Sequence, residues 1–61
     1  MNLSDLIGLS ENDAITKIQK AGLRARVMKC NGISLVGTMD LRSDRVNLEI
    51  GKGRVTRAYI G

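Results

Sequence analysis

Asp40 and Asp44 stand four residues apart, with Arg42 between them and Arg45 directly after. Two carboxylates at short spacing suit acid–base chemistry when their surroundings drive their proton affinities apart. Here the neighbouring arginines favour the charged form of both, so the pair is poor material for that work. The chain has no histidine, and Cys30, its one cysteine, has no base beside it. A lone cysteine more often packs as a small hydrophobe than attacks a substrate. Ser4, Ser10, Ser34 and Ser43 stand in no recognisable nucleophile arrangement. A zinc site of His and Cys ligands is excluded within one chain. These residues read as a non-enzyme that needs no cofactor and no metal.

Phosphate and nucleic-acid chemistry fare little better. The "GKGR" at 51–54 has its glycines two apart, whereas a phosphate loop needs them five apart and a helix after them. A strand pattern follows instead, and a hairpin turn is the better reading. Eight of the ten basic residues lie after residue 20, and the net charge is +4. That surface can attract nucleic acid, but it is also a plain route to solubility. Single-strand binders stack bases on aromatic rings, and Tyr59 is the one aromatic residue here. A basic nucleic-acid-binding module is therefore the weaker alternative.

What remains is "GTMDLRSDR" at 37–45, where a large apolar side chain, Met39, sits between Thr38 and Asp40. The elements around it show how it is held. Sixty-one residues make a single domain over residues 1–61. A chain this short buries only about 60% of its unfolded surface, so its stability is marginal. Ser10 is an N-cap with Asp13 three residues on. Ala14, Ile15, Ile18 and Ala21 form a stripe at helical spacing, and Gly22 ends the helix. The pattern predicts a helix over 11–21, with Leu9 packing on Ala14 ahead of it.

Leu23, Ala25 and Val27 then alternate with Arg24, Arg26 and Met28, as in a strand with one apolar face. Asn31-Gly32 marks a turn or strand end. Residues 33–44 are long for a plain connection, and such loops are often functional. "RVNLEI" and "RVTRAYI" alternate again and are joined by "GKG" as an antiparallel hairpin. The expected class is α+β: a single helix packed on a small mixed β-sheet, with an extended exposed binding loop between parallel strands. No stretch approaches the roughly 20 apolar residues of a membrane span. The N-terminus has no signal-peptide pattern, so the expected location is the cytoplasm.

Three blocks of the chain resemble the potato inhibitor I family of serine protease inhibitors, and its small bacterial-type members most. "LIGLSENDA" is similar to the family's start, with Gly8 and Ala14 at the family's spacing. "TMDLRSDRVNLEI" resembles its Thr-Met-Asp/Glu-Tyr-Arg-x-Asp-Arg-Val/Leu block, and "GRVTRAYIG" its closing strand and terminal glycine. The resemblance covers most of the chain, and the middle block is its specific part.

The resemblance implies a substrate-like, reversible inhibitor of a subtilisin-, chymotrypsin- or elastase-type serine protease. An extended loop would enter the protease cleft as a strand. Carried over by position, the reactive bond is Met39–Asp40, with Met39 in the primary pocket. Leu35, Val36, Gly37 and Thr38 would contact the protease before the bond, and Leu41 and Arg42 after it. Arg45 would brace the loop by a charge-assisted bond to Asp40 or Thr38. Asn47 stands where plant members carry a second arginine, and its amide would still donate. Gly61 would anchor the arginine through its carboxylate. Gly37 before the threonine and Leu41 in place of tyrosine depart from the pattern. The expected partner is a serine protease, bound by a monomer, with no membrane. A non-inhibitory binding or structural role on the same fold is the main alternative.

Overall fold

A computed structural model describes residues 2–35 and 40–61. Helix α1 runs Glu11–Lys20, and the strands are β1 Arg24–Cys30, β2 Ile33–Ser34, β3 Arg45–Gly51 and β4 Arg54–Ile60. Ser10 Oγ accepts a hydrogen bond from the Asp13 amide at 3.3 Å, satisfying one donor of the first turn. The helix ends as its glycine predicts. Gly22 takes φ +79, its amide donates to Gln19, and Leu23 donates back to Ile18. Ala21 caps this end and is exposed, so it does not belong to the buried stripe. Ala14 and Ile18 carry that stripe, with Ile15 half-buried.

The sheet is mixed, in the order β2-β1-β3-β4. β1 and β3 are parallel, and β3 and β4 form the antiparallel hairpin. The fold is thus α+β, with one helix on a small four-stranded sheet. Val46, Leu48 and Ile50 of β3 meet Ala14 and Ile18 from the helix, Val55 from β4 and Leu6. Each of the valine, leucine and isoleucine side chains contributes roughly 1.5–3 kcal/mol when fully buried. Leu6 comes from a 3₁₀ turn at Leu3–Leu6, which places it at 0% exposure. The segment after it covers the edge of β4: the Gly8 amide donates to Val55, and the Val55 amide donates to Leu9. No helix among the described residues is long and apolar enough to cross a membrane.

Two irregularities adjust the strand alternation. The β1–β3 pairing shifts between Val27 and Lys29, with Met28 as the extra residue. Side chains alternate with period 2, so one extra residue hands the inner position to Cys30 instead of Lys29. Cys30 then packs on the core as a small hydrophobe. A matching shift in β3–β4 leaves Thr56 as the extra residue, and Val55 and Ala58 face inward.

Both tight turns carry two consecutive positive φ angles, as type I′ hairpin turns require. Asn31 and Gly32 have φ 52 and 82, which joins β1 to the short antiparallel β2. In the second turn the positive φ angles fall on Lys52 (53) and Gly53 (77). Gly51 instead lies in β3, so the two glycines of "GKG" do not divide the turn between them. Asn31 Oδ1 accepts from the Lys52 amide at 2.9 Å and ties the two turns together.

Candidate functional site

Because Val46, Leu48 and Ile50 point to the helix, Arg45, Asn47 and Glu49 point to the opposite face of the sheet. The register sets Arg26 of β1 beside Asn47, and Asn47 beside Tyr59 of β4. This row is where the chain returns from the loop. Arg57 sits 4.8 Å from the centroid of the half-buried Tyr59 ring, a cation–π contact.

Arg45 opens β3 and is only 8% exposed. Its Nη2 donates to the main-chain oxygen of Asp40 at 2.8 Å, and its Nη1 to the Asp40 carboxylate at 3.3 Å. Its Nε donates to the Gly61 main-chain oxygen at 2.8 Å. The guanidinium thus uses its fork on two segments at once. Gly61 is fixed in turn by its amide, which donates to the Arg45 carbonyl at 3.1 Å. A Cβ at Gly61 would stand 2.9 Å from Asn47 Nδ2, so any larger residue here must displace the Asn47 amide.

Among the described residues, Asn47 joins the closing strand to β1. It is 2% exposed, and its Nδ2 donates to the Gly61 oxygen at 3.1 Å. Its Oδ1 accepts from Arg26 Nε at 3.0 Å. Arg26 Nη1 in turn lies 3.8 Å from Asp40 Oδ1. Asp40, Arg45, Gly61, Asn47 and Arg26 therefore close a polar ring. No buried side-chain nitrogen or oxygen among the described residues lacks a hydrogen-bond partner. Arg26 was not among the expected site residues. Its signal was its place on the outer side of β1, but only the parallel register sets it against Asn47.

A second cluster follows the loop. Arg42 grips Asp44 bidentately, Nε to Oδ1 at 3.0 Å and Nη2 to Oδ2 at 3.3 Å. Arg24 Nε stands 3.7 Å from the same carboxylate. The Arg42 hydrogen bond holds Asp44 below the usual carboxylate range. Asp40 and Asp44 are thus each held by their own arginines, an arrangement that suits anchoring rather than proton exchange between them.

Of the remaining expected contact residues, Leu35 is exposed and its amide donates to the Met28 carbonyl at 2.9 Å. Leu41 is 89% exposed. Arg42 is folded onto Asp44 yet keeps 42% of its side chain exposed. Val36, Gly37, Thr38 and Met39 lie outside the described residues, and with them the Met39 side of the expected reactive bond. Beside the ring, Leu41, Met28, Tyr59 and Ile60 line a depression of about 370 Å³. No family model matches the chain, and no curated protein or solved structure matches it.

Proposed function

We propose that this chain is a substrate-like, reversible serine protease inhibitor of the potato inhibitor I type, acting through the bond Met39–Asp40. One observation carries the reading. Asp40, on the leaving side of that bond, is held by Arg45 through both its main-chain oxygen and its carboxylate. Nothing in packing or catalysis calls for so much holding of one loop residue. A loop that enters a protease cleft as a strand gains from it twice. Less freedom is lost on binding. After cleavage, the new amine of Asp40 stays tethered near the acyl group, which favours resealing over release.

Met39 fills the primary pocket in this reading, so the target has a roomy apolar one, as in subtilisin-, chymotrypsin- or elastase-type enzymes. The exposed Leu41 offers apolar surface just past the bond. The nucleic-acid alternative draws little support from the arginines. Five of the six pair with carboxylates of the chain itself, which lowers the charge they offer to phosphate.

The test is a small panel of serine proteases assayed with the purified chain. Inhibition of an enzyme with an apolar pocket is expected, with slow cleavage at Met39–Asp40. Met39→Lys should redirect inhibition to trypsin-like enzymes. Neither inhibition nor that cleavage across the panel would sink the reading and leave a non-inhibitory binding role.

A further inference from the structure

Arg45 grips Asp40 from β3. The carboxylate has a second neighbour on the other parallel strand. Arg26 Nη1 approaches Asp40 Oδ1 at 3.8 Å, while Arg45 Nη1 takes Asp40 Oδ2 at 3.3 Å. Arg26 does not stand there by chance of a flexible side chain. Its side chain is 16% exposed, and its Nε is fixed to Asn47 Oδ1 at 3.0 Å. Asn47 has no latitude of its own, because its amide nitrogen is committed to the Gly61 oxygen. With Oδ1 accepting and Nδ2 donating, the amide has one orientation that serves both neighbours.

We propose that Arg26 is a second positioning residue of the loop, acting on Asp40 from β1, with Asn47 as the adaptor that aims its guanidinium. The proposal rests on the inhibitor reading for its purpose, but its geometry is independent of any protease. A guanidinium suits this place because separate nitrogens serve Asn47 and Asp40. The loop residue after the bond is then fixed from both parallel strands, so sideways movement across the sheet is opposed as well as movement away from it. The pair itself is partly exposed, and a lone pair of this kind contributes little to stability. Its effect belongs to loop geometry, where a small displacement of a reacting bond matters more.

Two variants separate the parts of this role. Arg26→Gln keeps a donor for Asn47 Oδ1 and removes the charge. Arg26→Lys keeps the charge and loses the fork. Arg45→Met serves as the benchmark. The carboxyl of Asp40 is titrated by NMR in each chain, and hydrolysis of Met39–Asp40 by subtilisin is timed by mass spectrometry. Arg26→Gln should raise the Asp40 midpoint above that of the unsubstituted chain and speed hydrolysis roughly three- to tenfold. Arg26→Lys should move the midpoint less than Arg26→Gln. An Asp40 midpoint that stays unchanged in Arg26→Gln but rises in Arg45→Met overturns the proposal. If the unsubstituted chain inhibits no protease while Arg26→Gln still shifts Asp40, the brace stands and the inhibitor reading falls.

Discussion

Arg45 and Gly61 hold each other twice: the Gly61 amide donates to the Arg45 carbonyl, and Arg45 Nε donates to the Gly61 oxygen. The guanidinium that reaches the loop is therefore fixed at its base by the residue that follows β4. This reciprocal pairing is why an arginine at the start of β3 has one direction in which to point.

Arg45→Met should cost about 2 kcal/mol, chiefly through the lost bond to Gly61, because Asp40 is half-exposed and its ion pair counts for less. A domain of this size has roughly 3–9 kcal/mol in total by the usual per-residue range, so the loss should be plain in urea unfolding. Hydrolysis of the loop by subtilisin should also rise about tenfold or more. An unchanged hydrolysis rate in a destabilised protein would mean that Arg45 serves the fold and not the loop.

Gly61→Ala places a methyl group 2.9 Å from Asn47 Nδ2, whose side chain is enclosed. The amide must shift, weakening its bonds to Gly61 and to Arg26 together. The expected cost is about 1 kcal/mol, read as a fall in the urea midpoint. Full stability in this variant would show that the closing strand has slack the geometry does not suggest.

Lys52 occupies a left-handed conformation that a side chain adopts at a cost of roughly 1–2 kcal/mol. Asparagine tolerates it better, and Asn-Gly is the favoured pair for such a turn. Lys52→Asn should stabilise the domain by about 0.5–1 kcal/mol, seen as a higher melting temperature. A lower one would place an unrecognised contact on the lysine side chain.

Asp44 is held below its ordinary range by Arg42, so its clamp favours the folded state above the unfolded carboxylate value of about 3.9. That contribution fades as pH falls through the lower, folded value. Arg42→Gln should raise the Asp44 midpoint toward the ordinary value in an NMR titration and flatten acid unfolding in that window. A midpoint equal in both chains would show that the pair is not populated in solution.

The helix was legible because its signals are local: Ser10, the Ala14 and Ile18 spacing, and Gly22 all act within one or two turns. The final hairpin was legible for the same reason. Other features depend on distant chain. The four-residue turn that buries Leu6 is too short to show a period. Met28 and Thr56 break the alternation only because their partner strands skip a residue there. Cys30 faces the core through that skip, and nothing in "VMKC" announces it. Arg45 was legible as a brace by resemblance, whereas Arg26 was not, since its role exists only in the parallel register with Asn47. Asn47 looked like a weaker substitute for an arginine. It proves to be the joint between two others.

The polar ring also sets an order of assembly. Arg26 bonds across 21 residues to Asn47, and Arg45 across 16 to Gly61. Contacts so far apart form late, after the chain entropy of closing both loops has been met. A chain lacking Gly61 would still contain the segment around Asp40 but would lose both bonds that fix Arg45 at its base. Until those pairings close, the segment around Asp40 has the freedom of any unfolded peptide, and closure of the ring is what sets it apart.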